Sequence, residues 1–244
     1  MIWISSKIFT WPVSRSSWTP GDYWGARRAY ELLDHAERIL NPNSDRNQRA
    51  DVISNLKRAV DHRLKILNDL YRFKGIPIQD LPKEQLDVMQ RFGIVRQLML
   101  GKLYDIRNAV EHEDSPPPSH DSIKELAEFV WYFLRTTDRL ARDKGMATKY
   151  STWSIEAGDR LFEVEFVTEN PWELKVRCWL DEDMYSETSK DDWLLAMPSE
   201  QRYVYGDPEH IQNKNLPGVR EFFGTLRGHE HAIRRLIREY FESA

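Results

Sequence analysis

Hydrophobic residues recur at three- and four-residue spacing through the first 145 positions of the chain, then shift towards alternation. Ala26, Tyr30, Leu33, Ala36 and Leu40 predict a helix over 23–40, with Asp22 as its cap and Asn41-Pro42-Asn43 ending it. Val52, Ile53, Leu56, Val60, Leu64, Leu67 and Leu70 form the stripe of a long helix over about 45–73. Ser44 or Asp45 caps it, and Gly75-Ile76-Pro77 stops it. Pro82 opens a third helical region, with Leu86 and Met89 one turn apart before Gly93 interrupts. A further helix over about 95–113 carries Leu98, Leu103, Ile106 and Val110. Pro116-Pro117-Pro118 forbids its continuation, because proline lacks an amide donor and restricts the residue before it. Ser119 or Asp121 then caps a helix running to about Asp143, with Ile123, Leu126, Val130, Phe133, Leu134 and Leu140 apolar.

Residues 152–157, 161–168 and 172–180 alternate or are rich in β-branched and aromatic residues, which predicts a small antiparallel meander. The third is the clearest, with Trp172, Leu174, Val176, Cys178 and Leu180 on one face and Glu173, Lys175, Arg177 and Trp179 on the other. Another strand is expected over 193–197 or 202–205, and 217–224 and 229–241 read as helices. The first twenty residues have no clear period and read as extended. The expected fold is mainly α with a smaller α+β part. An extended segment (1–21) precedes a bundle of four to five helices (22–145), and an acidic α+β module (146–244) carries the small β-meander and the C-terminal helices.

The charge is distributed unevenly about a net of −4. Residues 1–145 carry 23 Lys and Arg against 20 Asp and Glu, whereas 146–244 carry 12 against 19. Only the first part can present basic surface to a nucleic acid, and the balance opposes a tight, non-specific nucleic-acid binder. No apolar run is long enough to span a membrane, and the start of the chain lacks the layout of a secretory signal. The single cysteine, Cys178, excludes an intramolecular disulfide and fits a reducing cytoplasm.

Chemistry concentrates at the end of the fourth predicted helix, in Arg107-Asn108-Ala109-Val110-Glu111-His112. RNA is cleaved without a metal when a base removes the 2′-OH proton and that oxygen attacks the adjacent phosphate. A fixed guanidinium stabilises the charge gathered on the phosphoryl oxygens, and an imidazole moves the protons. Arg107 and His112 are the right types for this work, and Asn108 shares a helix face with His112. Spacing complicates the picture, since five helical residues leave two side chains roughly 140° apart. Either the helix ends near His112 or two copies bring their motifs together. Arg107 and Glu111 are also one turn apart and could form a plain surface ion pair.

The string Leu103-Tyr104-Asp105-Ile106-Arg107-Asn108-Ala109-Val110-Glu111-His112-Glu113, before a proline-marked loop, resembles the motif of the HEPN family (higher eukaryotes and prokaryotes nucleotide-binding). The resemblance covers roughly 22–143, and only the motif is specific. It implies a metal-independent endoribonuclease without cofactor, leaving 2′,3′-cyclic phosphate and 5′-OH ends. Arg107, Asn108 and His112 would be its catalytic residues, with Glu111 and Tyr104 in support. It further implies a homodimer with a composite active site, an RNA substrate, and a place in toxin–antitoxin or antiviral defence. The C-terminal module could then dock an antitoxin or another protein. The alternative is a non-catalytic, dimeric interaction or nucleotide-binding module of a defence complex. Some HEPN toxins carry a tyrosine two residues after the motif histidine, where a nucleotidyltransferase modifies them; here that position is Asp114, so such control is not expected.

Other clusters read as ordinary surface or core. His229-Glu230-His231 lacks metal-ligand spacing, and His112-Glu113-Asp114 has no second ligand cluster. Asp181-Glu182-Asp183 and Asp191-Asp192 read as solvated loops, and Gly224-x3-Gly228 lacks the ending of a phosphate loop. Trp153, Phe162, Phe166, Trp172, Trp179 and Trp193 could stack bases, but so acidic a segment favours core or protein-interface use.

Overall fold

The computed structural model describes residues 1–17, 24–113, 115–142, 146–154, 158–168, 171–199 and 218–242. The chain divides into two compact units. One holds Pro20–Phe73 and Pro82–Lys144; the other holds Met1–Thr19, Lys74–Leu81 and Gly145–Ser243.

The first unit is helical: α1 (Trp24–Ile39), α2 (Arg46–Tyr71), α3 (Gln85–Arg91), α4 (Gln97–His112), α5 (His120–Thr136) and α6 (Asp138–Arg142). The long α2 is its axis, packing against α1, α4, α5 and α6 through a stripe that includes Val52, Ile53, Leu56, Val60, Leu64 and Leu67. It starts in a capping box, where the Asp45 carboxylate accepts from the Gln48 amide at 2.8 Å and Gln48 Oε1 accepts from the Asp45 amide at 2.9 Å. Ser44 instead holds the end of α1, donating to the Ile39 carbonyl at 3.0 Å. At the other end Arg72 turns left-handed (φ 42°) and its amide closes on the Asn68 carbonyl. Within α4, Leu100 and Leu103 enter the core, whereas Leu98 is left 84% exposed.

The helix expected to run to Asp143 is two helices. Thr137 Oγ1 donates to the Phe133 carbonyl at 2.7 Å, and the fully buried Arg63 of α2 donates to the Leu134 carbonyl at 3.0 Å. Arg63 thus engages the Leu134 carbonyl that a continuing helix would offer to the Asp138 amide, while the Phe133 carbonyl still accepts from the Thr137 amide at 3.2 Å. Arg63 also reaches Asp138 Oδ1 at 2.8 Å, fixing the start of α6.

Among the described residues, the second unit is an eight-stranded antiparallel sheet with one α-helix. Its strands are β1 (Ile2–Ile4), β2 (Val13–Ser17), β3 (Met146–Ser154), β4 (Gly158–Val167), β5 (Glu173–Asp181), β6 (Tyr185–Ser186), β7 (Leu194–Pro198) and β8 (Val219–Gly228). They lie in the order β2-β3-β4-β5-β8-β7-β1-β6. Register sets Phe162 opposite Cys178, Val164 opposite Val176 and Phe166 opposite Leu174, and all six are buried. The last helix, α7 (Glu230–Glu242), lays Ile233, Leu236, Ile237 and Tyr240 into this core, with the Tyr240 ring stacked 4.0 Å from Phe166.

This corrects the expected fold class. The small β-meander expected after a helical bundle is replaced by a large sheet drawn from sequence-distant segments, and of the two expected C-terminal helices only that over 229–241 is present, as α7. The segment 217–224, read as a helix, starts β8 instead, because Phe222, Gly224 and Leu226 alternate inwards across β5 and β7. A Cβ at Gly224 would come within 2.0 Å of the Met197 carbonyl oxygen, so the close approach of β7 and β8 requires glycine there. The strand considered over 202–205 lies outside the described residues.

Candidate active site at the end of α4

The motif occupies the last turns of α4, which continues through His112 and is closed by the Glu113 amide donating to the Ala109 carbonyl. The helix does not end early, yet the two side chains meet. Arg107 Nη1 lies 3.1 Å from His112 Nε2 and 3.2 Å from Asn108 Oδ1. The reach of the arginine stem closes the angular gap expected from the helix, so one copy suffices to bring Arg107, Asn108 and His112 together. Because a guanidinium only donates, a hydrogen bond at this contact uses His112 Nε2 as its acceptor. Asn108 and His112 are exposed, and Arg107 is half-buried.

Glu111 completes the cluster. Its carboxylate pairs with Arg107 Nη2 and accepts from Ser54 Oγ on α2. The Ser54 hydroxyl is the largest influence and, with Arg107 assisting, holds this carboxyl below the usual glutamate range against the opposing effect of burial, which ranks second. The Arg107–Glu111 pairing foreseen from spacing therefore exists, alongside the Arg107–His112 approach rather than instead of it.

Tyr104, two turns earlier, donates to Asp61 Oδ1 at 2.9 Å, and Lys57 Nζ pairs with Asp61 at 2.5 Å. Burial, then the Asp61 charge, pushes the Tyr104 phenol well above its ordinary value, so it stays protonated. It positions α4 against α2 and does not act as a base. Ser54, Lys57 and Asp61 were missed by sequence reading. Their signal was a polar row at i, i+3 and i+7 of α2, bordering the buried stripe and answering Tyr104 and Glu111, which are seven apart on α4.

The remaining candidates stay apart. Cys178 is fully buried, and burial pushes its thiol far above the reactive range. Phe162, Phe166, Trp172 and Trp179 are buried and cannot stack bases, and the side chain of Trp153 lies outside the described residues. His229 packs on Trp3, and His231 faces Asp192 at 3.7 Å. Asp181 is held by Arg160, and Asp114 lies outside the described residues. Among the described residues no group of three or more His, Cys, Asp and Glu is placed to hold a metal ion, and no helix is long and apolar enough to cross a membrane.

Comparison with known proteins gives no match: no family model, curated protein or solved structure matches the chain.

Proposed function

We propose that the chain is a metal-independent endoribonuclease of the HEPN type, working in the cytoplasm in toxin–antitoxin or antiviral defence. The observation that carries this reading is the 3.1 Å approach of Arg107 Nη1 to His112 Nε2 at an open helix end. A phosphate on Arg107 would lie within reach of the imidazole. With Arg107 turned to the phosphate, His112 Nε2 is freed to take the proton of the 2′-OH as its oxygen bonds to phosphorus, and the bond to the 5′ oxygen breaks. The protonated His112 returns that proton to the leaving 5′ oxygen, giving a 2′,3′-cyclic phosphate, a 5′-OH and the imidazole in its starting state. Asn108 orients the guanidinium, and Arg107 stabilises the charge of the transition state. The geometric argument for a composite site falls away, so the homodimer rests on the resemblance alone, as does any antitoxin partner.

The test is cleavage of mixed structured and unstructured RNA in excess EDTA. Wild type is expected to leave cyclic phosphate ends, and Arg107→Ala and His112→Ala are each expected to lose at least 10²-fold in rate. Inert wild type, or equal cutting by all three proteins, overturns the reading.

One observation favours a second reading. Glu111, fixed by Ser54, already takes one face of the Arg107 guanidinium, as in a structural ion pair. A non-catalytic interaction or nucleotide-binding module would keep this arrangement, and would bind without cutting.

A further inference from the structure

A second place on the helical unit is built for a ligand. A groove of about 600 Å³ opens between α1 and α5, within the size range of small-molecule sites, and uses none of the residues around Arg107. One wall is aromatic. Trp131 and Tyr132 of α5 stand edge to face at 5.0 Å, yet they are 37% and 59% exposed. The core face of α5 is filled by Ile123, Leu126, Val130, Phe133 and Leu134, and these rings stand outside it. The wall already accepts a cation: the Arg135 guanidinium lies 5.2 Å from the Trp131 ring centre and 5.9 Å from that of Tyr30.

Apart from Arg142 of α6, which pairs with Asp138, the rest of the lining is acidic. Asp34 and Glu37 lie one turn apart on α1, and Glu128 faces the groove one turn before the rings. Partial burial raises the Glu37 carboxyl, and the charges that raise it further are those of Asp34 and Glu128. The three carboxylates are not placed to hold a metal ion. A longer organic cation suits the spacing better, because its heads reach carboxylates while its stem lies along rings.

We propose that this groove binds an extended organic cation, a polyamine or a basic peptide side chain, with Asp34, Glu37 and Glu128 taking the charged heads and Trp131 and Tyr132 the stem. The experiment is isothermal titration of the full chain with spermidine and, separately, with a capped Lys-Gly-Lys peptide. The proteins compared are wild type, Trp131→Ala, Trp131→Phe and the double variant Glu37→Gln/Glu128→Gln, with circular dichroism confirming their fold. Saturable binding of at least one probe is expected. It should weaken at least tenfold in Trp131→Ala and in the double variant, persist within a few-fold in Trp131→Phe, and resist magnesium at matched ionic strength. Spermidine alone binding identifies a free polyamine, the peptide alone a protein side chain, and both the shared chemistry. Absence of saturable binding overturns the proposal. So does binding that ignores Trp131→Ala or yields to magnesium, since that is ordinary attraction to an acidic surface.

Discussion

Glu111 has two partners of different legibility. Its pairing with Arg107 is written in the sequence as an i,i+4 spacing, but its bond to Ser54 spans 57 residues and depends on how α2 meets α4. The Arg107–His112 approach was hidden for another reason: helical angles describe where side chains start, whereas a long arginine decides where its charge ends. The Ser54 bond has a consequence for pH. A carboxyl whose folded pKa lies below its unfolded value contributes stability that is fully present above the unfolded pKa and is lost as pH falls through the folded one. Ser54→Ala removes the largest cause of the depression, so the Glu111 carboxyl is expected to titrate at higher pH, visible by side-chain NMR. The variant should be less stable than wild type near neutrality, and the two should converge in acid, where Glu111 is protonated in both. A difference that persists unchanged into acid would assign the effect to packing.

At the level of elements, α1, α2, α4 and α5 were legible because each buries one stripe of a 3.6-residue repeat. What escaped was set by partners distant in sequence. The split between α5 and α6 depends on Arg63, a residue that reads as a surface charge on α2 until its donors are traced to Leu134, Thr137 and Asp138. Strand β1 is three residues long, too short to show a period, and β8 combines adjacent phenylalanines with two glycines, a pattern that helix and strand share. The buried arginine gives the sharpest prediction for stability. Arg63→Met leaves Asp138 and the Leu134 carbonyl without their buried donor, and is expected to cost about 3–5 kcal/mol in denaturant unfolding. A loss below about 1 kcal/mol would mean that Arg142, already 3.0 Å from Asp138, compensates fully.

The whole molecule joins sequence-distant strands. Strand β1 lies between β7 and β6, and β2 forms one edge of the sheet, so the first seventeen residues complete a sheet whose other strands begin at Met146. A fragment of 146–244 lacks both N-terminal strands, exposing unpaired backbone on β7, β6 and β3, and lacks Lys74–Leu81, whose Gly75 carbonyl accepts from the Trp172 amide. It is expected to aggregate or to show weak strand signal by circular dichroism, and to recover when peptides of residues 1–17 and 74–81 are added together. A cooperative, monomeric fragment without the peptides would refute this. The helical unit, by contrast, closes its core within itself, with α2 as its axis.

The same arrangement puts a clock on synthesis. Ile2–Ile4 leaves the ribosome long before its neighbours Tyr185–Ser186 and Leu194–Pro198. At 5–20 residues per second, the first strand waits on the order of 10–40 seconds for its place in the sheet. The segment that brings Arg107 and His112 together emerges during that interval. A nascent chain would thus carry a finished motif while its N-terminus is still unpaired, and that interval is when a chaperone or an inhibitory partner could seize it.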